Sequence, residues 1–68
     1  IDLLADNGKE KTAFEIKLAS SLKKSDWINI DNAIKEGICQ KGKIIYAGKH
    51  KFNLTPLIEA IPAEDFLR

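Results

Sequence analysis

Apolar and polar residues alternate in the first part of the chain, and this alternation predicts a β-hairpin. An apolar segment at 1–5 is followed by turn-forming residues at 6–10, which include Asn7 and Gly8. Asn-Gly between two apolar segments is a strong short-range hairpin signal. The second strand is expected over residues 11–18. One face of the hairpin is then apolar and is the expected core face: Ile1, Leu3, Ala5, Thr12, Phe14, Ile16 and Leu18.

The pattern changes to helical spacing in the middle of the chain. Apolar side chains there recur at i, i+3 and i+7, with an alanine beside them: Trp27, Ile30, Ile34 and Ala33. This spacing predicts a helix over residues 25–36 that packs one side on a sheet. Ser25 is the expected N-cap, and Gly37 is expected to end the helix.

The last third of the chain predicts further strands and a short helix. Residues 43–48 contain an unbroken apolar run, which is typical of a central strand covered on both faces. Residues 49–53 are expected to form a loop, and 54–60 a short edge strand, because Pro56 lacks an N–H for a sheet interior. A short C-terminal helix is expected over 63–67.

These elements predict an α/β (or α+β) fold. The path from strand 11–18 through the helix to strand 43–48 is a βαβ unit, which requires parallel strands. The chain contains no Met and begins inside a predicted strand. We therefore expect residues 1–68 to be a fragment of a single domain whose upstream part is missing from the chain.

Composition excludes several function classes. The net charge of +1 does not indicate nucleic-acid binding by bulk charge. The apolar runs are too short for a membrane span, and no signal-peptide pattern is present. Cys39 is the single cysteine, so it is expected to be a buried apolar side chain with neither a disulfide nor a zinc set. A reducing, cytoplasmic location follows as an expectation.

Three charged residues of the hairpin are predicted to share one sheet face. With a loop from Asn7 to Glu10, Asp2 lies opposite Glu15; with a two-residue loop the two are diagonal, and Lys17 joins them in both cases. Carboxylates at a cross-strand spacing of about 5 Å repel each other, and a magnesium ion would offset this repulsion. A solvated, salt-bridged strand face is the alternative interpretation.

The spacing of these residues matches a known signature. Asp2, followed after twelve residues by Glu15-Ile16-Lys17, resembles the PD-(D/E)xK motif of the restriction-endonuclease-like superfamily. Over about residues 1–62, the chain is most similar to the nuclease-like domain of unknown function at the C-terminus of prokaryotic AAA-family ATPases. The similarity lies in four segments: Ile1-Asp2-Leu3-Leu4, Asp6-Asn7-Gly8, Phe14-Glu15-Ile16-Lys17 and Gly42-Lys43-Ile44-Ile45-Tyr46-Ala47-Gly48.

This resemblance implies magnesium-dependent hydrolysis of DNA phosphodiesters by a domain attached to an ATPase domain. It implies Asp2, Glu15 and the backbone carbonyl of Ile16 as metal ligands. It implies Asp2, Glu15 and Lys17 as catalytic residues. The chain departs from the family pattern at Ile1, where the motif has proline.

Two other functions remain open. One is a catalytically inactive interaction or assembly domain of the same fold, in which the exposed edge of residues 1–5 pairs with a second copy to form a homo-oligomer. The other is a small basic DNA-binding module that contacts phosphates through a group of lysines: Lys41, Lys43, Lys49 and Lys51.

Overall fold

The computed structural model describes residues 1–67, which form one mixed sheet of five strands with short helices packed against it. The elements in chain order are β1 (Leu3–Asp6), β2 (Lys11–Ile16), a 3₁₀ turn (Lys24–Asp26), α1 (Ile28–Lys35), β3 (Lys41–Tyr46), β4 (Phe52–Thr55), β5 (Ile58–Pro62) and α2 (Ala63–Phe66). The sheet order is β1-β2-β3-β5-β4. The three inner strands are parallel to one another, and both edge strands are antiparallel to their neighbours. The predicted fold class and the parallel βαβ unit are confirmed.

The first hairpin has the longer of the two predicted loops. Leu3 lies opposite Phe14, which leaves four residues between the strands. Gly8 adopts φ +88°, a conformation that disfavours other residues. Its N–H donates to Asp6 Oδ1 at 2.8 Å. Asn7 Oδ1 accepts two further loop amides, at 2.9 and 2.8 Å. Local side-chain acceptors therefore replace the missing strand partners in this turn.

The main core lies between α1 and one face of the sheet. Ile30 is fully buried there and packs directly onto Gly42 of β3, where a Cβ atom would overlap Ile30 Cγ2. Small residues below the helix allow this close approach. The buried residues of this core are Ala13, Ile30, Ala33, Cys39, Ile44, Tyr46, Ile58 and Ala60. The predicted helix face and the burial of Cys39 are confirmed.

The prediction of the hairpin's core face is wrong. Ala13 is fully buried on the face that α1 covers, whereas Leu3 and Ile16 on the other face are 58% and 59% exposed. None of the seven residues of the predicted core face is buried: Ile1, Leu3, Ala5, Thr12, Phe14, Ile16 and Leu18. The crossover helix α1 packs on the face where the sheet has small residues, such as Ala13 and Gly42. The alternation of apolar and polar residues in the hairpin does not indicate which of its two faces that is.

The helix begins later than predicted, and Ser25 is not its N-cap. Ser25 lies inside the 3₁₀ turn, and Asp26 Oδ2 accepts the N–H of Lys23 at 2.9 Å. Trp27 is the N-cap of α1 and makes no side-chain capping bond. The Asp26 carboxylate thus starts a separate turn before the helix. The end is as predicted, since Gly37 has φ +79°.

The predicted loop at 49–53 and edge strand at 54–60 are wrong and are replaced by a second hairpin. β4 is the edge strand, and β5 lies inside the sheet between β3 and β4. Pro56 lies in the turn between them, where the Leu57 N–H donates to Thr55 Oγ1 at 3.1 Å. Proline therefore ends one strand here and does not lie within one. The strand expected over 43–48 is β3, and it begins two residues earlier.

The second face of the sheet is covered only in part, by α2. The Phe14 and Phe66 rings have centroids 6.0 Å apart. Ile45 and Ile61 are buried on this face, at 4% and 8% exposure. The region nearest β1 receives no such cover, which explains why Leu3 is exposed.

We expect Gly42→Ala to destabilise the protein by about 1–3 kcal/mol, because the stiff, β-branched Ile30 side chain cannot move away from the new methyl group. Urea unfolding measures the change. The same substitution in an Ile30→Ala background should cost clearly less, since the overlapping Cγ2 atom is gone. An equal cost in both backgrounds would contradict this packing.

Candidate functional site

Glu15 and Lys17 come together at the carboxyl end of β2. The N–H of Lys17 still donates to the Ile45 carbonyl at 2.8 Å, so the chain stays extended beyond the strand. Alternation places Glu15 and Lys17 on one face, and Lys17 Nζ lies 3.7 Å from Glu15 Oε2. The carboxyl ends of parallel strands are a common place for ligand sites in sheets of this kind.

Glu15 is the least exposed charged group of this cluster. Its side chain is 17% exposed, and Oε1 lies 3.0 Å from the backbone nitrogen of Ile1. Together with Lys17 Nζ, two nitrogen atoms therefore flank the Glu15 carboxylate. Because the carboxylate is largely removed from water, its electrostatic interactions are stronger than those of an exposed pair.

Asp2 reaches the same part of β2 by a different contact. The hairpin register runs from Leu3 to Asp6, and at Asp2 it slips by one residue, because the Asp2 N–H donates to the Phe14 carbonyl at 2.8 Å. The Asp2 Oδ2 atom accepts the backbone N–H of Ile16 at 2.7 Å. The carboxylate thus lies beside the strand at Ile16, and the expected position directly opposite Glu15 is not adopted.

Ile16 is the residue around which the three charged side chains are arranged. Asp2 binds its amide, and Glu15 and Lys17 are its two neighbours in the chain. The Phe14 carbonyl faces β1, so alternation directs the Ile16 carbonyl to the same side as Asp2. Two carboxylates and one carbonyl therefore belong to residues at the same end of the first hairpin.

These oxygen atoms match the ligand preference of magnesium, which binds one or two carboxylates and keeps several waters. Within residues 1–67, no group of three or more His, Cys, Asp and Glu side chains could hold a metal ion. A metal at this hairpin would depend on the two carboxylates, the backbone and water.

The four lysines proposed for nucleic-acid contact do not form one patch. Lys41 and Lys43 lie in the first half of β3, whereas Lys49 and Lys51 follow its carboxyl end. Two of the four are held by glutamates: Lys41 by Glu10 at 3.2 Å and Lys51 by Glu59 at 3.7 Å. Their positive charge is therefore divided and partly neutralised.

Cys39 takes no part in this site. It is buried at 1% exposure, and burial raises the pKa of its thiol, against the opposing effect of a hydrogen bond with the Ala13 backbone. A raised pKa leaves little reactive thiolate at neutral pH. Cys39 is a packing residue.

Sequence reasoning missed a feature of the second sheet face. Lys43 lies between two shallow depressions of about 260 and 220 Å³ and lines both. Phe14 and Glu59 are its neighbours across the strands. The alternation of Lys43 with the buried Ile44 is the signal that could have placed it on this face.

Comparisons of the chain with protein-family models, with curated proteins and with solved structures give no match. No helix among residues 1–67 is both long and apolar enough to cross a membrane. The features of the chain that bear on function are therefore the geometry at the end of the first hairpin and the motif that it contains.

We expect Asp2→Ala to speed hydrogen exchange at the Ile16 amide by about fivefold, because a net hydrogen bond of about 1 kcal/mol is lost. Exchange monitored by NMR measures this. Asp2→Asn keeps an acceptor oxygen and should retain most of the protection. Unchanged exchange in Asp2→Ala would show that this carboxylate does not hold the strand.

Proposed function

We propose that this chain carries a magnesium-dependent phosphodiester hydrolysis site of the restriction-endonuclease-like kind. The observation that supports it most is the arrangement of the Asp2, Glu15 and Lys17 side chains around Ile16. The hairpin brings Asp2 to the Ile16 amide, between Glu15 and Lys17 in the chain, at the carboxyl end of β2. DNA is the proposed substrate, and an ATPase domain is the proposed companion in a longer chain.

The two carboxylates and the Ile16 carbonyl are the proposed metal ligands. Asp2 uses Oδ2 for the Ile16 amide, which leaves Oδ1 for a cation. At Glu15, a cation would replace the contact between Oε1 and the Ile1 backbone nitrogen, which are 3.0 Å apart. Bound magnesium would lower the pKa of its water and neutralise charge on a phosphate.

Lys17 is the proposed group for the reacting phosphate. Its Nζ atom lies 3.7 Å from Glu15 Oε2, and its side chain is 33% exposed to solvent. An amine in this position can hold an attacking water and stabilise negative charge that develops on phosphate oxygens. The contact with Glu15 orients Lys17 next to one of the proposed metal ligands.

The basic-module alternative has less support. The lysines that it requires lie at both ends of β3, and two of them are paired with Glu10 and Glu59. Binding of DNA through those lysines would be salt-dependent and indifferent to magnesium.

Metal binding tests the ligand set. We expect manganese, a paramagnetic substitute for magnesium, to broaden the amide signals of residue 2 and residues 15–17 first. Asp2→Asn and Glu15→Gln should each weaken binding at least about tenfold, since each removes one carboxylate ligand. The matched control is Asp31→Asn, an acid on α1 that pairs with Lys35. Broadening spread over other acids, such as Glu10 and Glu59, would count against the site.

Cleavage of DNA in the presence of magnesium tests the chemistry. We expect Lys17→Ala to reduce the rate by about 100-fold or more while manganese binding is retained, because Lys17 acts on the reacting groups and is not a ligand. Metal binding with no cleavage by the wild-type chain would refute hydrolysis and favour an inactive scaffold of the same fold.

A further inference from the structure

The two edges of the sheet differ in how they are protected against pairing with another strand. At the β4 edge, Lys51 precedes the strand, a bulge lies between Asn53 and Thr55, and Pro56 follows. Lysine, proline and bulges are the usual means of blocking an edge. The four residues of β1 are all exposed, and that strand contains no lysine and no proline; its one irregularity, the slip at Asp2, lies before it.

The outer side of β1 presents free backbone groups. The odd-numbered residues of β2 bond toward β3 and the segment before it: the Lys17 N–H donates to the Ile45 carbonyl, and the Lys11 carbonyl accepts the Gln40 N–H. Because backbone groups alternate in direction along a strand, the even-numbered residues of β2 bond to β1. Their partners Leu3 and Ala5 bond inward. The N–H and C=O of Leu4 therefore point away from the sheet and are available to a further strand.

An apolar row leads up to this edge on the face that carries α2. Phe66 contacts Phe14, and Phe14 lies opposite Leu3. Leu3, Ile16 and Phe66 are 58%, 59% and 48% exposed. The row reaches the edge of the sheet at Leu3, beside the free backbone groups of β1.

We propose that β1 pairs antiparallel with β1 of a second copy of this chain, with Leu3 facing Leu3 across the two-fold axis. Leu3 would then occupy a non-hydrogen-bonded pair, in which side chains approach most closely. The apolar rows of the two copies become one continuous row. Each Leu4 N–H faces the backbone carbonyl of residue 2 in the other copy, since the Asp2 N–H is already donated to Phe14 of its own chain.

Charge selects this register over the neighbouring one. Centring the pair on Leu4 would place Asp2 opposite Asp6 of the other copy at both ends, and directly opposed like charges are destabilising. Centring it on Leu3 places Asp2 opposite Leu4. Centring it on Ala5 would also separate the acids, but it would bring the small Ala5 side chains together at the axis and place Leu3 opposite Asn7, outside the strand. The Leu3 register is thus the one that both avoids like charges and joins the two apolar rows, and this favours a second copy over an unrelated strand. The inference does not depend on the proposed hydrolysis.

Sedimentation equilibrium of the chain between about 10 µM and 1 mM tests this association, which a short strand makes weak. We expect a monomer–dimer equilibrium. Leu4→Pro removes the outward N–H, a substitution that an edge strand tolerates, and should weaken dimerisation at least about tenfold. Leu4→Ala, which keeps that N–H, should weaken it much less. A monomer at every concentration would overturn the proposal.

A charge exchange at Leu3 tests the register. Leu3→Lys and Leu3→Glu should each dimerise at least about tenfold more weakly than the wild type, because like charges meet at the axis. An equimolar mixture of the two should recover a heterodimer. Amide spectra establish that both variants are folded, and Asn53→Lys on β4 is the matched control. A dimer unaffected by either charge, or no recovery in the mixture, would reject this interface.

Discussion

The contact between Ile30 and Gly42 is the constraint on which the rest of the structure depends. It brings α1 close to β3, and the crossover that contains α1 sets β2 and β3 side by side in parallel. A side chain at position 42 would push the helix away from the sheet. Ala13, fully buried on the neighbouring strand, serves the same purpose. The position of β2, and hence of the candidate site at its carboxyl end, follows from this packing.

Parallel pairing also explains why the charged cluster forms where it does. Beyond β2 the chain remains extended because the Lys17 amide bonds to β3, and this keeps Lys17 on the same face as Glu15. On the other side of β2, the slipped register at Asp2 turns a carboxylate toward the Ile16 amide. The proposed metal site is thus built from one regular strand and one local irregularity.

Two local signals that contain glycine predicted the local structure correctly, whereas the expected N-cap at Ser25 was wrong. Asn7-Gly8 predicted the hairpin, and Gly37 the end of the helix, because each depends on the backbone of a few neighbouring residues. Spacing of two residues predicted that Glu15 and Lys17 share a face. The face that α1 covers was not predictable from the hairpin, since it depends on Gly42, far away in sequence. The slip at Asp2 is a backbone irregularity for which the sequence contains no signal.

We propose that Asp2 and Glu15 bind one divalent cation together. Calorimetric titration of manganese into Asp2→Asn, Glu15→Gln and the double variant tests it by a double-mutant cycle. If both carboxylates bind the same ion, the two losses of binding free energy are strongly coupled and their sum does not give the effect of the double variant. If the two losses of binding free energy add independently, Asp2 and Glu15 belong to two separate weak sites, which would contradict a shared cation.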